Sequence, residues 1–175
     1  METLELDLSD PSLENTPERV ARMYVDELFS GLDPLAFPDM HSFENCAMQQ
    51  SDGEGVICIK DIPVKSICEH HFVPIIGSAS IAYIPNYTIL GLSKINRLVD
   101  YFCRRPQLQE RLTAQCADAL SSVLSTPDVA VCIHAEHFCV TLRGVEHPTT
   151  RTYTQILRGR FQNEPHLAKL LEKLS

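Results

Sequence analysis

No apolar run in this chain approaches the ~20 residues needed to cross a bilayer, so a membrane-spanning helix is not expected. Positive charge is scarce. Fifteen basic residues against 23 acidic ones leave a net charge of -8, which repels a nucleic-acid backbone unless the cations gather on one face, and no nucleic acid is expected as a partner. A small anion needs only a few cations brought to one place, so that ligand class stays open. The first ten residues carry Glu2, Glu5, Asp7 and Asp10, with no basic residue and no apolar core. Neither a secretory signal nor a transit peptide is expected there, and a cytoplasmic location follows. Repeats and low-complexity tracts are also missing, and 175 residues with 44% apolar content suit one soluble domain.

The seven cysteines lack the even number and regular spacing of a disulfide framework, so they read as thiols, metal ligands or nucleophiles. Cys46, Cys58, Cys103, Cys116 and Cys132 sit among apolar neighbours and are expected to be inert buried thiols. Cys68 and Cys139 have a different setting.

Periodicity supplies the elements. Thr16 as N-cap and Pro17 in the first turn open a helix, with Val20, Met23, Tyr24 and Leu28 at helical spacing and an end at Gly31. A loop through Pro34 and Pro38 follows, then a turn at 51–53, a short strand from Gly55 to Lys60 and a second from Gly77 to Pro85. Ser93 starts a helix whose Ile95, Leu98, Val99 and Phe102 share one face, and another helix is expected from Pro106 to about Thr126. Val129 to Val140 and Arg151 to Ile156 read as strands, and Pro165 to Leu174 as a terminal helix. The order is α+β, not alternating βαβ.

Cys68, Glu69, His70 and His71 place a thiolate and an imidazole three residues apart, within reach of one zinc ion on a turn. His137 and Cys139 are two apart in an expected strand, so their side chains share a face and Cys139 becomes a third ligand. Three protein ligands would leave a fourth position for water, the arrangement of a hydrolytic zinc. A closed structural site would need a fourth ligand, and no second C-x-x-C or H-x-x-x-H is present. Spacing alone leaves open that no site forms. His70 and His137, adjacent to or two from the candidate ligands, are placed to move protons near neutral pH. Ser93, Lys94 and Arg97 put a hydroxyl cap and two cations at a helix start, which suits an anion or simply a capped, solvated helix. Arg143 follows Cys139 by four residues and can add charge there; Gln109 and Glu110 fall in the first turn of the next helix.

Four segments in order carry a resemblance: Cys68 to Pro74, Gly91 to Arg97, Arg105 to Thr113 and His137 to Gly144. Together they resemble the signature segments of the GTP cyclohydrolase I family, and the likeness runs from Thr16 to about Phe161. It implies a tunnelling fold, an antiparallel sheet with helices on one face, in a homo-oligomer built as a ring of five subunits and usually a decamer of two rings. An N-terminal helical segment (1–31) and a catalytic domain (32–175) would together make one domain. Active sites would lie between subunits, each subunit holding one Zn2+ on Cys68, His71 and Cys139. Glu110 would hold the guanine edge of GTP and Gln109 would lie near the ribose. Ser93, Lys94, Arg97 and Arg143 would contact the triphosphate, with Arg19 and Arg22 as further cations. Zinc-activated water would attack guanine C8, with His70 protonating the ring nitrogen and His137 the ribose oxygen, and Ser93 assisting a later proton movement. The products would be formate and 7,8-dihydroneopterin triphosphate, the first pterin of folate biosynthesis. The chain departs from the family in beginning about sixteen residues before the first matching helix, where many relatives carry a longer arm, and in a longer segment from Gln50 to Gly55. The signature of a zinc nucleoside deaminase, H-x-E with P-C-x-x-C, is absent.

Overall fold

The computed structural model describes residues 1–44 and 55–172 of the chain. The turn expected at 51–53, the lengthened segment before Gly55, Cys46 and the end of the terminal helix lie outside those residues. In chain order, α1 (Thr16–Arg22) widens into a π-helical turn at Met23–Leu28, and the strands β1 (Ser42–Glu44), β2 (Ile57–Cys68), β3 (Pro74–Tyr83) and β4 (Thr88–Leu90) follow. The long helices α2 (Leu92–Cys103) and α3 (Gln109–Leu124) flank β5 (Pro106–Gln107). Then come β6 (Val129–His137), the short α4 (Phe138–Thr141), β7 (Thr152–Leu157), α5 (Arg160–Asn163) and α6 (Pro165–Glu172). The architecture is mixed α+β. One five-stranded sheet has the order β5-β2-β3-β6-β7, antiparallel except where β5 joins β2, and β1 pairs with β4 as a separate ribbon.

Alternation along the central strands explains the core. Ile75, Ala79, Ile81 and Tyr83 of β3 and Val129, Val131, Ile133 and Ala135 of β6 turn to one face. There they meet Ile95, Leu98 and Val99 of α2 and Leu112, Cys116, Leu120 and Leu124 of α3. Each large side chain buried in this way stabilises the fold by about 1.5–3 kcal/mol. Ala82, Ala130 and Cys132 point the other way and are covered by Phe161 of α5 and Leu167 of α6. The two long helices thus share a face as expected, while the short C-terminal pair packs on the opposite one.

Several local expectations are corrected. Thr16 is the first residue of α1, and Asn15 before it makes no side-chain cap. The helix does not run unbroken to Gly31; it passes through the π turn into a 3-10 turn at Ser30–Leu32. Gly31 is buried because its N–H donates to Arg104 O at 2.8 Å, so close that a Cβ would lie 2.1 Å from Tyr101 O. β2 continues past Lys60 to Cys68, through a bulge between Ile59 and Ile62 where Asp61 adopts φ +55°. Pro63 does not stop it, because among the described residues β5 pairs with β2 only at Ile67 and Cys68 and asks no ladder bond of the proline. Pro106 likewise extends a strand, and α3 begins three residues later, after the extended Leu108.

Candidate active site

The ends of β2 and β6, the turn between β2 and β3, and the start of α3 meet at one edge of the sheet. Cys68 closes β2, and its N–H donates to Val73 O at 2.8 Å, so residues 69–72 form a tight turn. Phe72 takes φ +52° to complete that turn. Register sets Ile67 beside Pro74 and Ile75 beside His137, which carries the end of β6 to the same place. The strand stops at His137, contrary to the expected run to Val140, and Cys139 lies in the helical turn α4. Strand alternation is therefore not what brings Cys139 to Cys68; the chain reversal after His137 does so.

The ligand atoms of Cys68, His71 and Cys139 all lie within 4.8 Å of one another, with Cys68 buried, Cys139 half-buried and His71 exposed. Tetrahedral zinc, with bonds of about 2.3 Å to sulfur and about 2.0 Å to nitrogen, sets its ligand atoms roughly 3.6–3.8 Å apart, a spacing this group can take up by small side-chain adjustments. Two thiols and an imidazole are also the donor set such a borderline-soft ion favours. Burial, and then the adjacent Cys68, push the Cys139 thiol above its usual range, a cost that a bound cation offsets by stabilising thiolate. Arg143 Nη1 lies 2.9 Å from His71 Nε2. A guanidinium can only donate, so His71 Nε2 accepts this bond through the lone pair that a metal ion would take in its place.

Other polar groups surround this cluster. His70 Nδ1 is 3.7 Å from Cys68 Sγ. Glu69 accepts two bonds from Arg111, at 2.7 and 3.1 Å, which tie the turn to α3 and hold the Glu69 carboxyl below its usual range. His137 is half-buried with Nε2 2.7 Å from Gln109 Oε1. Burial lowers its pKa, and the negative charge of Glu110 works in the opposite direction. Gln109 is 1% exposed, and its amide nitrogen donates to Ile133 O, Thr152 O and Thr154 Oγ1. Glu110, one residue on, is exposed and lines a cavity of about 220 Å3 with Thr113, Thr154, Gln155 and Ile156.

The second cluster is elsewhere. Gly91 occupies the N-cap position of α2, so Ser93 is an exposed first-turn residue and not the expected cap. Lys94 Nζ lies 3.7 Å from Asp39, and Arg97 borders a cavity of about 270 Å3 with Ser30, Asp100 and Tyr101. Among the described residues, no hydrogen bond or ion pair ties Ser93, Lys94 or Arg97 to the thiol-imidazole group. Arg22 pairs with Glu18 on the exposed side of α1, and Arg19 is exposed beside it. Sequence reasoning missed the Glu69–Arg111 pair and the Thr113–Thr154 contact, since both join residues more than forty apart. Alternation in the strand expected at Arg151 to Ile156 was the one available hint to Thr154.

The sequence model of the GTP cyclohydrolase I family matches residues 1–174. GTP cyclohydrolase 1 of Aeromonas hydrophila subsp. hydrophila is 52% identical over 165 residues, which cover 94% of this chain and 74% of that one. The protein of the same name from Enterobacter sp. (strain 638) is 51% identical over 163 residues, 93% of this chain and 72% of the other. Among solved structures, the archaeosine synthase QueF-Like in its apo form is similar in fold, with a TM-score of 0.50 and 16% identity over 60% of this chain and 94% of that one. That likeness speaks for the architecture alone. With a family match along almost its whole length and about half its residues shared with these relatives, the chain belongs to the GTP cyclohydrolase I family.

Proposed function

We infer that the protein hydrolyses GTP to 7,8-dihydroneopterin triphosphate and formate, the opening step of tetrahydrofolate and pterin biosynthesis, with one zinc per subunit on Cys68, His71 and Cys139. The observation that carries this reading is the convergence of those three donors beside His70, His137 and Glu110, from three separate stretches of a chain in this family. Zinc, when bound there, supplies the Lewis acidity that makes water a nucleophile at neutral pH.

The chain's own residues divide the remaining work. Glu110 accepts from the N–H donors of the guanine edge, and leaving such a carboxylate unpaired penalises adenine far more than a missing methylene would. His70 delivers a proton to the purine ring nitrogen as the bond to C8 opens and formate departs. His137 then protonates the ribose ring oxygen, and Ser93 assists the later proton movement as the sugar rearranges and the ring recloses. Arg143, Lys94, Arg97 and the α2 start hold the triphosphate, with Arg19 and Arg22 adding charge. Because, among the described residues, no bond ties the α2 cations to the thiol-imidazole group of the same chain, a neighbouring copy is the natural source of that half of the site. This is the arrangement of a tunnelling fold assembled as a pentameric ring or a decamer of two rings, working in the cytoplasm.

Zinc-loaded protein incubated with GTP, followed by formate release and pterin fluorescence, tests the reading beside a Cys139→Ala variant. Both products from the parent and neither from a folded variant are expected. A correctly folded, zinc-containing parent that releases no formate would refute the proposal.

A further inference from the structure

We propose that Gln109 is a positioning residue that fixes His137 in one tautomer, with its hydrogen on Nε2, and makes no contact with the substrate. The inference deepens the hydrolase reading above, and its kinetic consequence rests on that reading. The argument starts from hydrogens that have only one place to go. Thr113 Oγ1 donates to Gln109 O at 2.7 Å, so its single hydrogen is committed. Thr154 Oγ1, 2.7 Å from Thr113 Oγ1, must then be the donor in that pair. With its own hydrogen spent, Thr154 Oγ1 accepts from Gln109 Nε2 at 3.0 Å. The same amide nitrogen faces the carbonyls Ile133 O at 3.0 Å and Thr152 O at 3.1 Å, which can only accept.

Turning the amide over would set Gln109 Oε1 against two backbone carbonyl oxygens with no hydrogen between them, at a position 1% exposed where no solvent repairs the loss. The amide is therefore locked, nitrogen toward β6 and β7 and oxygen toward His137. An amide oxygen cannot donate, so His137 Nε2, at 2.7 Å, does. Neutral His137 then keeps its lone pair on Nδ1, and any proton it takes or gives passes through Nδ1, while Gln109 Oε1 holds the Nε2 hydrogen in both charge states. Both amide hydrogens of Gln109 are spent within the fold at a position 1% exposed, which leaves the side chain no donor for a ribose.

The tautomer is read directly by solid-state NMR of protein labelled with [15N]histidine, at a pH where His137 is neutral, the His137 signals being those lost in His137→Asn. The parent is expected to show a protonated Nε2 and an unprotonated Nδ1, and Gln109→Leu a mixture of both tautomers. In turnover of GTP, Gln109→Leu is expected to lower kcat by about 10²-fold with KM within about twofold of the parent. A hydrogen on Nδ1 in the parent, or a raised KM with unchanged kcat in Gln109→Leu, overturns the proposal. The parent spectrum decides the matter even where Gln109→Leu does not fold. A parent with the Nε2 hydrogen that fails to turn over GTP would sink the reaction assignment and leave this tie standing.

Discussion

Gly77 offers a test of how rigidly the sheet holds the site. It lies in β3, paired with Val64 on one side and Ala135 on the other. A Cβ added there would fall 2.0 Å from His134 O, 2.6 Å from Ala135 Cα and 2.7 Å from Ala135 Cβ, none of them the end of a flexible side chain. Relief requires β3 and β6 to part by about 1 Å, which stretches neighbouring ladder bonds from about 2.9 Å to beyond hydrogen-bonding range. Loss of two such bonds at ~1 kcal/mol each, with a further ~1–3 kcal/mol of overpacking, gives Gly77→Ala a destabilisation of about 3–5 kcal/mol. That is a large share of the roughly 5–15 kcal/mol that holds a typical domain together. Two residues along the same pairing, Ile75 faces His137, so a shift of this size reaches the site and is expected to lower turnover by about 10²-fold. Gly91→Ala isolates the fit of the Cβ, since it meets nothing closer than 3.6 Å and the φ of -60° suits alanine, so only the roughly 0.5–1 kcal/mol by which alanine is the poorer N-cap is expected in the unfolding measurement. Urea unfolding of the two variants, with turnover measured alongside, checks both. Should Gly77→Ala unfold within about 0.5 kcal/mol of the parent, the argument from strand spacing fails.

Arg111→Met removes the bidentate hold on Glu69 in the turn that carries His70 and His71. Because the pair is exposed, the unfolding midpoint should hardly move, whereas zinc affinity in chelator competition should fall about tenfold, as when other groups that orient metal ligands are lost. Unchanged affinity would show that the turn needs no such support. The buried thiols supply a chemical test. Burial pushes Cys103 up to about 12, so at pH 8 only about one part in 10⁴ is thiolate, against about one-tenth for a thiol at the ordinary 9.0. Cys139 is also raised, but it is half-buried and open to reagent, so alkylation of the native metal-free protein at pH 8 should modify it faster than the fully buried Cys103 and Cys116. The raised Cys103 thiol also sets a sign: its contribution is complete below about pH 9 and is lost as pH climbs toward 12, because only the unfolded chain releases the proton over that window. Modification of native Cys103 as fast as Cys139 would contradict the burial.

Legibility in the sequence followed the range of the forces involved. The stripes Ile95, Leu98, Val99 and Leu112, Leu120 were readable because a helix repeats its environment every turn, and all five are buried. Cys68 and His71 were readable as a pair because a turn brings them together without help from the rest of the chain. Cys139 was assigned through strand alternation with His137, yet β6 ends at His137 and the two residues lie in different local structures. The triad forms because register, a long-range property, places the ends of β2 and β6 side by side. The strand expected to end at Lys60 and the helix expected from Pro106 were misplaced for a related reason: whether a proline such as Pro63 or Pro106 belongs to a strand depends on which edge lacks a partner, which no local window contains.

Gln109 and Glu110 show how far one turn of helix can divide labour. Gln109, Leu112, Thr113, Cys116 and Leu120 fall at the three- and four-residue spacings of one helical face, and all five are buried. A polar residue on that stripe must be satisfied by the fold itself, since water does not reach it, and Gln109 meets the requirement through β6, β7 and His137. Glu110 is rotated about 100° from that face, as the 3.6-residue repeat dictates, and stays exposed at the rim of a cavity. Sequence likeness assigned both residues to the ligand because they are adjacent in a signature segment. Helical geometry separates them: the carboxylate stays exposed at the rim of a cavity, and the amide beside it is spent on β6, β7 and His137.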